Sequence, residues 1–148
     1  MIFLRNKNKS LLSELAAKSA IKEYIKEKNK IEIKDEDIQI KKEVLGRPTF
    51  LLNNHIEVDT SKMSLSLSHT SDFTIADISE EGLLGIDIET IRDFDKEVRE
   101  NFLNATEKEM LSFLPNAENK IYTTLLWSFK ESTLKALGVG LRTHPKKI

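Results

Sequence analysis

The sequence predicts an α+β fold in which helices pack on an antiparallel sheet. From residue 63 to 89, apolar and polar positions alternate and turn residues separate the runs, a pattern typical of neighbouring strands. Before and after this region, apolar residues recur at helical spacing. The order of helix, strands and then helices is typical of α+β proteins. The 148 residues predict a single domain over 1–148, with approximate lobes 1–82 and 83–148.

The individual elements follow from local patterns. Leucine, alanine and isoleucine spacing predicts a first helix from Ser10 to Lys28, with Ser10 as its N-cap. We expect β segments over 37–41, 49–52, 63–68, 73–78 and 83–89. Three helices are predicted after them, over 96–102, 106–113 and 120–137. Thr106 and Glu109 fit a capping box for the second of these helices.

The composition excludes several classes of protein. The chain has no cysteine, which rules out disulfides and thiolate metal ligands. No apolar run is long enough for a signal peptide or a membrane span, so we expect a soluble cytoplasmic protein without a membrane partner. A net charge of −1 argues against a nucleic-acid partner.

The charge is spread unevenly along the chain. Residues 1–48 carry 12 Lys and Arg against 8 Asp and Glu, and residues 49–148 carry 11 against 16. A basic first third is able to attract an anionic ligand or an acidic partner. Solvated Lys and Glu faces are the simpler interpretation, and the sequence leaves both open.

Two carboxylates, Asp87 and Glu89, stand two residues apart in the last predicted strand. Alternate strand residues share a face, so both side chains are expected to point to the same side, opposite Ile86 and Ile88. A divalent cation relieves the repulsion between like charges at this distance, and hard oxygen ligands favour Mg²⁺ or Mn²⁺ over Zn²⁺. A strand with one solvated polar face explains the same spacing.

The last predicted helix offers a core face and a charged face. Its predicted core stripe consists of Tyr122, Leu125, Leu126, Phe129, Ala136 and Leu137. Lys130, Glu131 and Lys135 lie off that stripe. The pair Glu131 and Lys135 has the i,i+4 spacing of a surface ion pair, so spacing alone assigns it no function.

Four motifs together resemble a known family. Gly85-Ile-Asp-Ile-Glu89 followed by Trp127-Ser-Phe-Lys-Glu-Ser-Thr-Leu-Lys135 resembles the paired signature of 4′-phosphopantetheinyl transferases. Leu45-Gly-Arg-Pro48 is similar to the family's G-K-P element, with Arg in place of Lys, and Ser66-Leu-Ser-His69-Thr70 is similar to its strand ending in Ser-His. The order of the motifs is that of the larger, two-lobed type.

The resemblance implies a set of site residues. The metal ligands it implies, for Mg²⁺ or Mn²⁺, are Asp87, Glu89 and Glu131. The coenzyme A contacts it implies are Arg47, Ser68, His69, Lys130 and Lys135. Glu131 and Lys135 are the implied catalytic residues, although the base is either Glu131 or a metal-bound water. Glu107 occupies a recurrent acidic position without an assigned role.

The implied activity is the Mg²⁺-dependent transfer of the 4′-phosphopantetheine group of coenzyme A to a serine of an acyl or peptidyl carrier protein. The sequence does not say which carrier is served. The alternative is a non-catalytic module that binds a carrier protein or coenzyme A. A phosphodiesterase is a third interpretation, but the sequence shows no second set of metal ligands. Compared with the two-lobed type, the second lobe is short, so we expect an incomplete sheet there. We expect its helices either to self-associate, as a homodimer, or to pack on the 63–89 sheet.

Overall fold

The computed structural model describes residues 2–5, 9–139 and 143–148, with side chains for residues 11–139 and 143–148. It confirms the α+β class, with helices packed on small antiparallel sheets. The strands are β1 (Ile2–Arg5), β2 (Ile38–Lys42), β3 (Pro48–Leu52), β4 (Ser64–His69) and β5 (Phe73–Ser79). The helices are α1 (Lys9–Asn29), α2 (Lys96–Phe102), α3 (Ala105–Ser112) and α4 (Asn116–Leu137), with 3₁₀ turns at Asp35–Asp37 and Pro145–Lys147. In the described part of the chain, no helix has both the length and the apolar character needed to cross a bilayer.

The strands of the described residues form two separate sheets. β1, β5 and β4 lie side by side in that order, and each pair is antiparallel, with Leu67 of β4 opposite Ala76 of β5. The strands β2 and β3 form an antiparallel pair joined by the turn at Gly46. A φ of +86° at Gly46 suits glycine, which has no Cβ to clash there.

The helix α1 supplies the first hydrophobic core. Its residues Ala17, Ile21 and Ile25 are fully buried and pack against Phe50 of β3 and Leu65 of β4. These three positions follow the i, i+4, i+8 spacing of one helix face. The core therefore joins α1 to both sheets.

A second hydrophobic cluster lies among the C-terminal helices. Phe94, Phe102, Leu103 and Leu111 are buried together, and Trp127 of α4 packs on them. The first core contains only residues before position 82, and this cluster contains only residues after it. The division into lobes 1–82 and 83–148 stays a prediction, and the positions of the two clusters are consistent with it.

The prediction for the core face of α4 is wrong for four of its six residues. Tyr122, Leu125, Phe129 and Leu137 are between 50% and 65% exposed. Of the other two, Leu126 is partly buried against the second hydrophobic cluster, and Ala136 is partly buried. The buried face is the opposite one, formed by Thr123, Thr124, Trp127, Lys130 and Leu134, with Trp127 partly exposed. Most of these side chains are polar, and their burial is possible because each polar group has a hydrogen-bond or ionic partner. Apolar spacing therefore indicated the exposed face.

The third predicted strand of the 63–89 group is not a strand. The residues from 83 to 95 belong to no ladder, and residues 85–93, called here the extended segment, run between β4 and α4. This placement also buries the serines of β4, so both faces of that strand are covered instead of one.

Candidate active site

The serines of β4 hold the extended segment in place. The Ser64 hydroxyl donates to the carbonyl of Gly82 (3.1 Å). The N–H of Ile86 donates to Ser66 Oγ (3.1 Å), and the N–H of Ile88 donates to Ser68 Oγ (3.2 Å). Alternate serines thus replace the backbone partners that a neighbouring strand would supply. The three serines are at most 9% exposed, which is why the polar side of β4 does not face water.

Three functional groups meet where β4 ends. The Lys135 ammonium donates to Asp87 Oδ1 (2.6 Å), Ser68 Oγ (3.0 Å) and the Ile86 carbonyl (3.2 Å). The Ser68 hydroxyl donates to the same Asp87 oxygen (2.8 Å). The Asp87 side chain is 5% exposed and that of Lys135 is 28% exposed. The structure therefore brings together residues from β4, the extended segment and α4.

Glu89 lies further along the same segment. The indole N–H of Trp127 donates to Glu89 Oε1 (2.9 Å). The indole itself is held by aromatic packing, with ring centroids 5.7 Å from Phe94 and 5.0 Å from Phe102. The second hydrophobic cluster consequently orients the donor that fixes the Glu89 carboxylate.

Glu131 is half-buried on α4, near Lys135, Asp87 and Glu89. Burial raises its pKa above the ordinary value of 4.5, the neighbouring Lys135 ammonium acts in the opposite direction, and the charges of Asp87 and Glu89 raise the pKa further. The three carboxylates are therefore close enough to influence one another electrostatically.

The carboxylates do not form a ready cation cage. Within the described ranges, no group of three or more Asp, Glu or His side chains is arranged to hold a metal ion. Asp87 Oδ1 is engaged by Lys135 and Ser68, and Glu89 Oε1 by Trp127. Asp87 Oδ2, by contrast, is buried and has no hydrogen-bond partner among the described residues. Such an oxygen suits a cation or an ordered water.

A cationic cleft of about 270 Å³ opens beside Lys135. Lys42, Arg47, His69 and Lys135 line it, together with Gly138 at the end of α4. The Arg47 guanidinium donates to Ser64 Oγ (3.0 Å), which fixes its position against β4. The structure thus places Arg47, His69 and Lys135, three of the predicted coenzyme A contacts, on one cleft. Ser68 is not among the lining residues; it is 6% exposed and accepts a hydrogen bond from Lys135.

Lys130 is placed elsewhere, and the prediction that it lies off the core is wrong. Its side chain is 2% exposed and forms an ion pair with Glu107 (2.9 Å). Glu107 also caps α3, because its Oε2 accepts from the N–H of Asn104 (2.8 Å) while Asn104 Oδ1 accepts from the N–H of Glu107 (2.9 Å). The capping box predicted at Thr106 is therefore formed two residues earlier.

Gly85 is a site residue that our sequence reasoning did not single out. A Cβ at this position would lie 1.9 Å from the Ser132 carbonyl oxygen and 2.5 Å from the Ala136 nitrogen, both backbone atoms of α4. The extended segment can approach the helix this closely only because residue 85 has no side chain. A glycine at the start of an apolar run was the available signal.

The chain has similarities to known proteins. Residues 83–148 match the family model of the 4′-phosphopantetheinyl transferase superfamily. The chain is 30% identical over 135 residues to "4′-phosphopantetheinyl transferase gsp" of Aneurinibacillus migulanus, an alignment that covers 90% of this chain and 49% of the relative. It is 34% identical over 76 residues to "4′-phosphopantetheinyl transferase psf-1" of Bacillus pumilus, covering 51% of this chain and 32% of the relative.

The chain spans about half the length, or less, of these curated relatives. The family match includes the extended segment and α4, which carry Asp87, Glu89, Glu131 and Lys135. The longer alignment extends the similarity over nine tenths of the chain. The family-model match and the two relatives together support placing the chain in the 4′-phosphopantetheinyl transferase superfamily.

Proposed function

We propose that this protein transfers the 4′-phosphopantetheine group of coenzyme A to a serine of an acyl or peptidyl carrier protein. The observation that carries the proposal is the meeting of Asp87, Glu131 and Lys135 beside a cleft lined by Arg47 and His69. Carboxylates next to a cationic cleft suit a reaction at a phosphate. The names of the relatives support the same activity.

Asp87, Glu89 and Glu131 are the proposed ligands of a Mg²⁺ or Mn²⁺ ion. Their donor set is all oxygen, which suits these hard cations. The unpartnered Asp87 Oδ2 indicates a place where positive charge is favourable. The negative charges of Asp87 and Glu89, which both act on Glu131, favour a cation there as well. When bound, the ion supplies charge stabilisation at the phosphate oxygens.

The cleft is the proposed site of coenzyme A. Arg47 is the proposed contact for its nucleotide end, and His69 and Lys135 are the proposed contacts for its phosphates. All three side chains line the cleft. A larger groove of about 930 Å³ shares Lys42 and His69 with the cleft and is also lined by Lys18 and Lys41. These lysines belong to the basic first third of the sequence. Because Glu14, which pairs with Lys18, and Glu36 also line the groove, Lys41 and Lys42 are the lysines that favour an anionic ligand there.

The proposed reaction is a displacement at phosphorus. The carrier serine oxygen forms a bond to the β-phosphorus of coenzyme A, and the bond from that phosphorus to the oxygen of 3′,5′-ADP breaks. Glu131, which lies near Asp87 and Lys135, takes the serine proton. Lys135 stabilises the negative charge on the departing 3′,5′-ADP, and its ammonium reaches the cleft by leaving Asp87.

Mass spectrometry of a carrier protein tests this function. Apo carrier proteins from fatty-acid, polyketide and peptide synthesis would each be incubated with the protein, coenzyme A and Mg²⁺. We expect one of them to gain the mass of one phosphopantetheine on its serine, together with release of 3′,5′-ADP. Glu131→Gln is the matched control and should show no gain. Absence of modification on every carrier would refute the proposed activity.

A non-catalytic role as a carrier-protein or coenzyme A binding module is the second candidate. The engagement of Asp87 by Lys135 and Ser68 favours it, because an oxygen already occupied is less available to a cation. Under this alternative, coenzyme A or an apo carrier binds in calorimetry while the carrier mass stays unchanged.

We also propose a cytoplasmic location, with which the absence of cysteine is compatible.

We further propose a homodimer that forms through the exposed face of α4. Ile121, Tyr122, Leu125 and Phe129 lie on this face and are 40% to 65% exposed. Aromatic side chains such as Tyr122 and Phe129 dominate the energetics of interfaces, and this face is the proposed contact between two copies.

The cysteine-free sequence allows a direct test of the dimer. Leu125→Cys places a thiol at the centre of the face, and an antiparallel pairing of two α4 helices would bring two such thiols together. We expect mild oxidation to cross-link this variant, and sedimentation to show a dimer that Phe129→Glu converts to monomer. Leu83→Cys, 62% exposed outside this face, is the control. A monomeric wild-type protein at about 50 μM, well above typical dimer affinities, would refute the homodimer.

A further inference from the structure

Lys130 is enclosed by oxygen atoms inside the helical half of the protein. Its ammonium lies 2.9 Å from Glu107 Oε1 and donates to the carbonyls of Pro145 (3.0 Å) and Ile148 (3.2 Å). A lysine ammonium has three N–H donors, and three acceptors are present. All donors of this buried group are therefore committed within the protein.

The environment of Lys130 differs from that of Lys135. The Lys135 ammonium also has three partners, but its side chain is 28% exposed and borders the cleft, so it can turn towards a ligand. The Lys130 side chain is 2% exposed and is not among the residues that line the cleft. Contact with a phosphate would require Lys130 to leave a buried ion pair, a costly change.

The partners of Lys130 are themselves fixed. Glu107 uses its second oxygen to cap α3 through Asn104. The two carbonyls belong to the last turn, in which Ile148 N–H also donates to Pro145 O (3.3 Å). A single side chain thus joins α3, α4 and the turn Pro145–Lys147.

We propose that Lys130 is a positioning residue that sets the rotation of α4 about its own axis, and that it does not bind coenzyme A. Successive helix residues are about 100° apart, so Lys130 and Lys135 project roughly 140° from each other. Lys130 ties one flank of α4 to α3, while Trp127 and Lys135 tie another flank to the extended segment. Two attachments on different flanks define one rotation, and that rotation directs Glu131 towards Asp87.

The test compares Lys130→Met with Glu107→Gln. Glutamine at position 107 keeps an oxygen for the α3 cap and removes only the charge facing Lys130. The catalytic part of the test rests on the proposed transfer activity. At a temperature where circular dichroism shows every variant folded, both substitutions should lower kcat by about 10-fold while the KM for coenzyme A changes by less than about 2-fold. The double variant should lose little more than either single variant, since both break the same contact.

Hydrogen exchange supplies a readout that does not depend on activity. The amides of Lys147 and Ile148 are bonded within the last turn, and Lys130→Met should speed their exchange by at least about 10-fold relative to amides of α1. Lys120→Met, on the same helix and paired with Asp93, is the matched control and should leave these amides unchanged. If the wild-type protein transfers nothing, the proposed function fails while this measurement still decides the role of Lys130.

Two results would overturn the inference. One is a steep rise of the KM for coenzyme A in Lys130→Met while Glu107→Gln behaves as wild type, which is the behaviour of a phosphate ligand. The other is unchanged exchange at Lys147 and Ile148 in Lys130→Met. Because Glu107→Gln is a mild change, the kinetic comparison remains possible if Lys130→Met fails to fold.

Discussion

Lys135 Nζ lies 2.6 Å from Asp87 Oδ1, although the two residues are 48 positions apart in the sequence. Ser68 contacts both groups, so this ion pair is held by a hydrogen bond from β4 as well. The pair joins one proposed metal ligand to one proposed phosphate contact. Its consequence is that binding of a cation at Asp87 and release of Lys135 towards the cleft are expected to occur together.

Asp87→Asn is expected to lower transfer by more than about 100-fold, because the charge stabilisation supplied through the bound ion amounts to several kcal/mol. It should also destabilise the fold by on the order of 1–3 kcal/mol, since Lys135 loses its charged partner. Transfer assays and urea unfolding measure the two effects. Asp93→Asn, whose carboxylate pairs with Lys120 on the surface, is the control. Near-normal transfer by Asp87→Asn at saturating Mg²⁺ would remove Asp87 from the metal site.

Lys135→Met and Arg47→Ala are expected to affect different kinetic constants. A group that acts on the leaving phosphate works mainly in the transition state, so Lys135→Met should lower kcat by about 100-fold or more. Arg47→Ala removes a ground-state contact and should raise the KM for coenzyme A by about 10-fold with little change in kcat. Steady-state kinetics with varied coenzyme A gives both constants. A raised KM in Lys135→Met together with a lowered kcat in Arg47→Ala would contradict the roles proposed for these two residues.

Glu131 should make stability depend on pH. Its pKa is raised in the folded protein above the value of 4.5, so the folded state binds this proton more tightly than the unfolded state. Its contribution is therefore most favourable below pH 4.5 and is lost as pH rises through the raised pKa. Urea unfolding from pH 4 to pH 8 should show wild-type stability falling relative to Glu131→Gln. Parallel curves for the two proteins would show that the carboxyl is not perturbed.

Trp127 is the sole tryptophan of the sequence and bonds to Glu89, so its fluorescence reports on that carboxylate. Titration with Mg²⁺ should shift the emission, because a cation that engages Glu89 weakens its bond to the indole. Glu89→Gln should remove most of this shift, whereas Glu97→Gln, at an exposed position of α2, should not. An equal response in both variants would place the cation away from Glu89.

Gly85→Ala is expected to separate the extended segment from α4. The added Cβ meets two backbone atoms of the helix, which cannot turn aside as a flexible side chain does. We expect a drop in thermal stability and a loss of transfer that added Mg²⁺ does not restore. Differential scanning fluorimetry and the carrier assay measure these effects, with Leu83→Ala as a nearby exposed control. Wild-type behaviour of Gly85→Ala would show that this close contact is dispensable.

Most elements could be predicted because their signals are local. The alternation in Met63–Ser68 and the turn before Phe73 are enough to predict β4 and β5, and helical spacing predicted α1 to within a few residues. Strand β1 was missed, because a short run of three apolar residues and an arginine does not reveal a pairing with β5 some 70 residues away. The resemblance to family motifs, in contrast, indicated Asp87, Glu131 and Lys135 as site residues without any knowledge of their contacts.

The sequence by itself determined which residues carry charge or a hydroxyl and most of the segments that become helix or strand. Only the tertiary structure decided which face of α4 is buried. Thr124 and Lys130 enter the interior because the extended segment and Glu107 supply partners for their polar groups. A polar side chain is buried where a partner removes the cost of desolvation. Since those partners lie more than 20 residues away along the chain, no local pattern could indicate them.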